Sequence, residues 1–411
     1  MKIPFSPPYI DEDIINEVVD TMKSGWITTG PKVKAFEDEI SRFTDVENTL
    51  CVNSWTSGAI LVLKWFGVKK GDEVIVPAYT YCATALAVIR CGATPVMVDV
   101  KDDFTIDNDK IKAAITERTK VIIPVDVAGL PCHYEELNEL VDSKEIKAKF
   151  SPDSENQHKL GRILLLSDAA HSFGAHYQNF RTGKLTDITV FSFHAVKNVT
   201  TAEGGAICLN LPTPFQNPEE YSVLRLWTLN GQTKDAFTKS QGGGNSWQYD
   251  IVFPGLKINM PDLCAAMGLA QIRKYSGQML PERIRVGERY QAFFNNKPWA
   301  QIPVLKDDQR TSSYHLYPLK ILKISEGQRN EIINEIADKG VSVNVHFIPM
   351  PMLTLFKDLG YKMEDYPVSY DIYSREISLP IYPELTDEQV DFICQVVEES
   401  YQRVVGNEAN I

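Results

Sequence analysis

Two side chains near the middle of the chain have the types and positions needed for amine chemistry. Asp168 follows the apolar run 163–166 after a single serine, and Lys197 stands shortly after the apolar run 190–193. A carboxylate at the end of a buried strand needs a positive partner or hydrogen-bond donors. A lysine beside buried strands can have a lowered pKa, which frees its amine for Schiff-base formation.

An aspartate and a lysine at adjacent strand ends fit the requirements of pyridoxal phosphate. This cofactor needs a lysine that attaches to it and an acid that keeps its ring nitrogen protonated. An ion pair that only closes two strands fits the same spacing, and spacing alone leaves the two interpretations at about even odds.

Polar residues elsewhere could hold the rest of such a cofactor. Thr56 and Ser57 lie in the segment NSWTSGAI, where a helix opens after a strand and backbone N–H groups can bind phosphate. Serine and threonine also cap helices without any ligand. Ser192 could add a hydroxyl or be an ordinary strand serine, and Tyr81 could stack on a flat ring or belong to the core.

The elements that must position these side chains follow a repeating order of short apolar runs and helices. The runs are rich in valine and isoleucine, which is typical of strands buried on both faces in a mostly parallel sheet covered by helices. Ligands of such sheets bind at the carboxyl ends of the strands. The predicted strands are 49–52, 73–77, 94–98, 120–125, 162–167, 189–193 and 205–209, and the early helices are 11–22, 57–66 and 83–91.

The pattern changes in the second half of the chain. Residues 144–159 are predicted to form a surface insertion, and 230–245 a glycine-rich loop near a domain boundary. We therefore expect a large domain over 1–250, with an N-terminal segment 1–27, and a small α+β domain over 251–411. The predicted elements of the small domain are helices 261–274, 325–339 and 386–401, the last with a capping box, and strands 313–322 and 341–347.

Composition excludes several classes of protein. The 411 residues include 42 basic and 54 acidic side chains, a net charge of −12 that argues against a nucleic-acid surface. No stretch is long and apolar enough to predict a membrane span. The seven cysteines are scattered, and no histidines stand at ligand spacing, so we expect a cytoplasmic protein without a metal site.

Six segments together resemble one known family. They read GWITTGPKVKAFE, PAYTYCATA, GATPVMVDV, SDAAHSFGA, FSFHAVKNVTTAEGGA and LPIYPELTDEQV. The chain resembles the DegT/DnrJ/EryC1/StrS aminotransferases over roughly residues 3–397. The SDAAH block followed by the FSFH block with its lysine is the most specific part of this resemblance.

The resemblance implies a fold and an activity. The fold is α/β, of the fold-type I pyridoxal phosphate aminotransferases, with a mostly parallel seven-stranded sheet between helices in the large domain and a smaller α+β C-terminal domain. The implied activity moves an amino group from an amino acid, with glutamate expected, to a keto-sugar nucleotide for amino-sugar or surface-glycan biosynthesis. The implied assembly is a homodimer with shared active sites.

The resemblance also implies roles for individual residues. Lys197 would attach the cofactor and Asp168 would pair with its ring nitrogen. The implied cofactor contacts are Tyr81 on the ring, Thr56, Ser57 and Ser192 on the phosphate, His171 beside the cofactor, and Lys257 reaching the phosphate of the partner chain. His346 is the implied neighbour of the sugar nucleotide, and Thr28, with Thr29, of the sugar. His346 could instead be a plain strand histidine and Thr28 a turn residue.

The chain departs from the family pattern at four positions. Trp55 stands where the family usually has a small residue, Ser167 where it has glutamate, and Leu130 where it often has glutamine. Lys257 replaces an asparagine, and a lysine can still bind phosphate as a point charge.

Two other functions are compatible with the same fold. A sugar dehydratase of this family carries histidine in place of the lysine, so Lys197 argues against that activity. A silent sugar-nucleotide binder is disfavoured because Lys197, Asp168 and Tyr81 are all present.

Overall fold

A seven-stranded sheet forms the centre of the computed structural model, which describes residues 1–234, 237 and 247–406. Its strand order is β1-β9-β8-β5-β4-β2-β3, and only β9 runs antiparallel to its neighbours. The predicted α/β fold with a mostly parallel sheet is therefore confirmed. Its strands are β1 Asn48–Val52, β2 Glu73–Pro77, β3 Thr94–Val98, β4 Thr119–Ile122, β5 Leu164–Asp168, β8 Ile188–Ser192 and β9 Gly205–Leu209.

Helices cover both faces of this sheet and continue into the C-terminal half. In the first half they are α1 Glu12–Lys23, α2 Pro31–Thr44, α3 Trp55–Trp65, α4 Ala83–Arg90, α5 Asn108–Ala114, α6 Tyr134–Asp142, α7 Lys144–Lys149, α8 Glu155–Leu160 and α9 Asn217–Thr228. In the second half they are α10 Asp262–Lys274, α11 Leu280–Phe294, α12 Glu326–Asp338, α13 Thr354–Asp358, α14 Pro367–Arg375 and α15 Asp387–Gly406. None of the helices described is long and apolar enough to cross a membrane.

Two smaller sheets complete the strand structure. One has the order β10-β12-β13 and packs with α11, α12 and α15 around a second hydrophobic core that also takes in Ile3. The other has the order β11-β6-β7. Their strands are β6 His176–Tyr177, β7 Phe180–Arg181, β10 Ala300–Gln301, β11 Arg310–Thr311, β12 Tyr317–Ile321 and β13 Glu376–Leu379.

The predicted strand 341–347 is wrong. Only isolated bridges occur there, Val341 with Ile3 and Asn344 with Ser378. The chain leaves the sheet because the backbone N–H of His346 donates to the Glu376 carboxylate at 3.0 Å instead of to a neighbouring strand. The segment around His346 borders a cavity rather than extending the sheet.

Other predicted strands are shortened at their ends for local reasons. β4 stops at Ile122, before Pro124, which has no backbone N–H to continue the ladder. The predicted strand 313–322 begins only at Tyr317, because Tyr314 adopts a left-handed conformation with φ of 54°.

The segment 144–159 contains two short helices, α7 and α8, whose first turns are capped by Ser143 and Ser154. The predicted capping box at the start of α15 is present, since Thr386 and Gln389 exchange hydrogen bonds of 3.0 and 3.2 Å. The glycine triplet 242–244 of the predicted loop lies outside the described residues.

α10 packs against α1 and α2, and its Leu269 shares a hydrophobic cluster with Phe36. The division of the chain at residue 250 stays a prediction, and this packing favours a boundary after α10.

Candidate active site

A cavity of about 520 Å³ opens at the carboxyl edge of the large sheet, beside the segment that carries His346. Seven of the residues singled out from the sequence line it, whereas Ser57, Thr28 and Lys257 do not. The seven are Thr56, Tyr81, Asp168, His171, Ser192, Lys197 and His346.

Asp168 ends β5, and its side chain is nearly inaccessible to solvent, with 4% exposed. Thr84 on α4 donates its hydroxyl to Oδ2 at 2.8 Å, and the backbone N–H of Ala170 donates to Oδ1 at 3.2 Å. Burial raises the pKa of Asp168 to about 7, although these donors and the charge of Lys197 oppose the rise. A cation bound next to Asp168 would therefore strongly favour its ionised form.

Lys197 reaches the same cavity from the turn after β8. Its Nζ makes no hydrogen bond and no ion pair within 4 Å among the described residues. The cavity leaves the side chain partly accessible, but the protein around it lowers the pKa of Lys197 to about 8 by desolvation, against the opposing charge of Asp168. The amine is thus available for reaction near neutral pH. The structural alternative, an ion pair between Asp168 and Lys197, is not formed.

The start of α3 forms one wall of the cavity. Ser54 caps this helix, accepting from the N–H of Ser57 at 3.1 Å and donating to its hydroxyl at 2.9 Å. β9 can approach the helix only because residue 205 is glycine, since a Cβ there would lie 2.8 Å from the backbone N of Trp55. Helix N-termini attract anions, so Ser54, Thr56 and the nearby Ser192 form a site suited to phosphate.

Aromatic rings border the cavity beside these groups. Tyr81 is 61% exposed, and its ring centroid lies 5.9 Å from that of Phe347. The ring of His171 stacks on Phe347 at 5.7 Å, and its Nδ1 accepts the N–H of Ala128 at 3.2 Å. The ring centroids of His315 and His171 lie 4.4 Å apart. Burial lowers the pKa of both histidines well below the usual value, so both are neutral.

The remaining sequence-predicted residues lie at or beyond the edge of the cavity. The Nδ1 of His346 lies 2.9 Å from the hydroxyl of Ser378, and burial lowers the pKa of His346 to about 3. Lys257 is exposed and donates to the side chain of Asn259 at 2.6 Å. The carbonyl of Thr28 accepts from the N–H of Asp262 at 3.3 Å.

Several residues that line the site were not singled out for it from the sequence. Thr84 lies three residues after Tyr81 in the PAYTYCATA block, and Ser54 directly precedes the predicted phosphate segment. Their proximity to predicted residues was the available signal, whereas nothing local pointed to His315 or Asn344. Trp55, named from the sequence as a departure from the family pattern, also lines the cavity, and its buried Nε1 has no hydrogen-bond partner in the part of the chain that the structure describes.

Among the described residues, no cluster of three histidine, cysteine, aspartate or glutamate side chains could hold a metal ion.

Comparisons with known proteins show what the whole chain is similar to. The chain is 35% identical to the spore coat polysaccharide biosynthesis protein SpsC of Bacillus subtilis, over 97% of this chain and 96% of that protein. It is 30% identical to a UDP-4-amino-4-deoxy-L-arabinose–oxoglutarate aminotransferase of Shewanella sediminis, over 98% of both.

A solved structure of similar shape is that of Spr1654 from Streptococcus pneumoniae, described as a sugar aminotransferase. Its PMP form has a TM-score of 0.94 and 41% identity over 100% of both chains. Its PLP form has a TM-score of 0.93 and 42% identity, over 98% of this chain and 100% of that one. The model of the DegT/DnrJ/EryC1/StrS aminotransferase family matches residues 8–398, and the chain belongs to that family.

Proposed function

We propose that this aminotransferase moves the amino group of glutamate to the keto group of a nucleotide-linked sugar, using pyridoxal phosphate. The observation that carries the proposal is the pair formed by Asp168 and Lys197, which face one cavity without forming an ion pair. A pair built only for stability would leave no unpartnered amine beside a carboxyl in an open cavity.

The residues present fit the cofactor at each of its parts. The start of α3, with Thr56, and Ser192 at the end of β8 would hold the phosphate; Ser57 does not line the cavity and would contribute only through its place in the first turn of α3. Tyr81 is exposed enough to lie against the ring, with His171 as a neighbour. Asp168 would face the ring nitrogen. When bound, the cofactor withdraws electrons from the α-carbon of the substrate amine.

The chain itself would supply the binding and the proton transfer. Lys197 would hold the cofactor, and its neutral Nζ, free when the donor amine takes its place, would remove the proton from the donor α-carbon. The ammonium of Lys197 would deliver that proton to C4′ of the cofactor, so that Lys197 ends neutral. Asp168, ionised beside a cationic ring, keeps that ring protonated. His171 stays neutral, and because its Nδ1 accepts from Ala128, its Nε2 carries the proton.

Two relatives support the proposed substrates. The Shewanella sediminis protein is named for a UDP-linked amino sugar and for oxoglutarate, which is the product left when glutamate donates its amine. The Bacillus subtilis protein is named for polysaccharide biosynthesis, in line with an amino sugar destined for a surface glycan. The sugar dehydratase and the silent binder remain disfavoured because Lys197 is present and unpartnered.

We further propose a homodimer in which each subunit completes the other's site. Lys257 is exposed and lies outside the cavity of its own chain. The segment that precedes it carries large apolar side chains at the surface, a feature of protein interfaces. They are Trp247, Tyr249, Ile251 and Val252. A cytoplasmic location, expected from the scattered cysteines, stays a prediction.

The test is a substrate screen. The purified protein, loaded with pyridoxal phosphate, is incubated with glutamate and a panel of 3-keto and 4-keto nucleotide sugars, and the products are read by mass spectrometry. We expect one sugar to gain an amino group, with oxoglutarate formed in equal amount. Lys197→Ala is the control and should yield none. If glutamate converts the cofactor to its amine form but no sugar of either class accepts the amine, the proposed acceptor is wrong.

A further inference from the structure

A chain of buried hydrogen bonds connects the cavity to a carboxyl group behind it. Glu376 on β13 is fully buried, and its Oε1 accepts a short hydrogen bond from the hydroxyl of Ser378. The same hydroxyl lies 2.9 Å from Nδ1 of His346, and the backbone N–H of His346 donates to Oε2 of Glu376 at 3.0 Å. One carboxyl oxygen of Glu376 therefore reaches the ring of His346 through Ser378, and the other bonds the His346 backbone directly.

We infer that Glu376 is a positioning residue which, through Ser378, keeps the proton of His346 on Nδ1 and presents the lone pair of Nε2 to a hydroxyl of the acceptor sugar. The inference rests on the proposed function for the identity of the ligand, but the order of the hydrogen bonds does not depend on it.

The order follows from counting donors. The hydroxyl of Ser378 has one proton, and it donates that proton to Glu376. Its oxygen can then only accept from His346, so Nδ1 must carry the ring proton and Nε2 must be the acceptor. Since burial lowers the pKa of His346 to about 3, the ring does not take up a second proton near neutral pH.

Asn344 supports the same order from the other side of the ring. Its Oδ1 accepts from the N–H of Val345 at 2.8 Å, which turns its NH₂ group toward Nε2 of His346, 3.5 Å away. A donor facing Nε2 is compatible with a lone pair there and not with a second N–H. Asn344 lines the cavity and Ser378 does not, so the Nε2 edge is the one that faces a ligand.

The ionisation of Glu376 determines the pH range in which this order of hydrogen bonds holds. Burial raises its pKa to about 8, while Ser378, the His346 backbone and the guanidinium of Arg329 on α12 oppose the rise. Tyr79 and Tyr373 are further titratable groups near Glu376, and Lys197, His171 and His315 are those that act on or are acted on by His346. A protonated carboxyl has an O–H that can donate to Ser378 and reverse the order, so the order holds for the carboxylate form, above about pH 8. Measurements at pH 9 examine that form, which can only accept hydrogen bonds.

The two substrates should respond differently to a change in this chain. A sugar offers ring hydroxyls as donors to Nε2, whereas glutamate has no hydroxyl. Disturbing the chain should therefore raise the KM for the sugar and leave the donor half-reaction unchanged. A purely structural role would impair both halves.

The direct test is the tautomer of His346, read at pH 9 from ¹H–¹⁵N correlation spectra of histidine-labelled protein without substrate, with His346→Gln to assign the signal. We expect the proton on Nδ1 in the wild type. In Glu376→Gln the amide would donate to Ser378, Ser378 would donate to Nδ1, and the proton should move to Nε2. In Ser378→Ala the Nδ1 atom of His346 loses its hydrogen-bond partner, so the preference for the proton on Nδ1 should be lost.

Kinetics supply the second readout. Ser378→Ala should raise the KM for the sugar by roughly tenfold, the effect of one hydrogen bond to substrate, with an unchanged rate of cofactor conversion by glutamate. Ser374→Ala is the matched control, because this buried hydroxyl donates to the Asp371 carbonyl at 3.0 Å and does not line the cavity, so its loss should alter neither value.

A wild-type proton on Nε2 at pH 9 would overturn the inference even if no variant folds, and so would a tautomer unchanged in Glu376→Gln. Equal losses in both half-reactions of Ser378→Ala would also overturn it. The spectra need no substrate, so a failure of the proposed sugar acceptor would leave the tautomer result standing and the two failures can be told apart.

Discussion

Asp168 and Lys197 define the chemistry of the cavity because the surrounding protein disfavours the charged form of each, and a ligand can change that balance. Burial raises the pKa of Asp168 to about 7 and lowers that of Lys197 to about 8, so both groups titrate close to neutral pH. Such opposed shifts in one cavity are typical of catalytic sites rather than of structural ion pairs.

Replacing Asp168 by asparagine should retain the fold and remove most activity. A neutral amide cannot balance a cationic ring, and a loss on the order of 10²-fold in turnover is expected for removal of such a group. Asp187→Asn is a matched control, because this buried carboxyl accepts from the guanidinium of Arg162 outside the cavity. It should lower thermal stability and leave the cofactor spectrum unchanged. Wild-type turnover in Asp168→Asn would show that the Asp168 carboxylate has no role in the reaction.

The attachment of pyridoxal phosphate to the apo-protein should depend on pH through Lys197. Only the neutral amine reacts, so the rate should rise as pH increases through about 8 and level off above it. In Asp168→Asn the negative charge that raises the pKa of Lys197 is gone, so the curve should shift to lower pH. Stopped-flow absorbance measures both curves, and a shift to higher pH would contradict this electrostatic account.

At the scale of single residues, the sequence predicted site residues that stand next to the end of a strand or the start of a helix. It pointed to Asp168, Lys197 and Thr56, which all line the cavity. It did not point to Thr84, because the hydrogen bond to Asp168 joins residues 84 positions apart and depends on how α4 packs on the sheet.

At the scale of elements, the N-terminus of α3 is proposed to bind the phosphate of the cofactor. Ser54→Ala should lower the free energy of unfolding by about 1 kcal/mol, the usual effect of losing a helix cap, and should also weaken cofactor affinity. Ser154 caps α8 in the same way, by accepting from Gln157. Ser154→Ala should lose similar stability with no change in affinity. Denaturant unfolding measures the free energy of unfolding, and cofactor titration measures the affinity for the cofactor. Equal cofactor affinity in both variants would show that the N-terminus of α3 does not bind the phosphate.

Elements were predictable where local pattern and burial agree. The runs that became β2, β3 and β9 have the predicted bounds, because each is mostly apolar and β2 and β9 are buried at every position. The segment 341–347 alternates apolar and polar residues, which is also typical of a strand, but it forms no strand. Its path is set by Glu376, which captures the backbone N–H of His346, and this contact is not visible in the local sequence.

At the scale of the whole molecule, the exposed position of Lys257 is explained if it serves the site of a second subunit. A two-fold dimer then uses the residue twice, once in each site. Lys197→Ala and Lys257→Ala should each be impaired alone. Mixed under subunit exchange, they should form heterodimers with one doubly defective site and one intact site. Random pairing would restore up to about a quarter of wild-type activity.

The control for this experiment is a demonstration that heterodimers are present, for example by native mass spectrometry of differently tagged subunits. If heterodimers are present and the mixture is no more active than either variant alone, Lys257 does not act in the site of the partner subunit.

The central claim is that Lys197 is the residue to which the cofactor attaches. Borohydride reduction of the loaded protein, followed by proteolysis and mass spectrometry, would fix the cofactor to its lysine and identify the peptide. The account predicts a single labelled peptide that contains Lys197, and no label in Lys197→Ala. A label on any other lysine, or none on a protein that carries the visible absorbance of the cofactor, would contradict it.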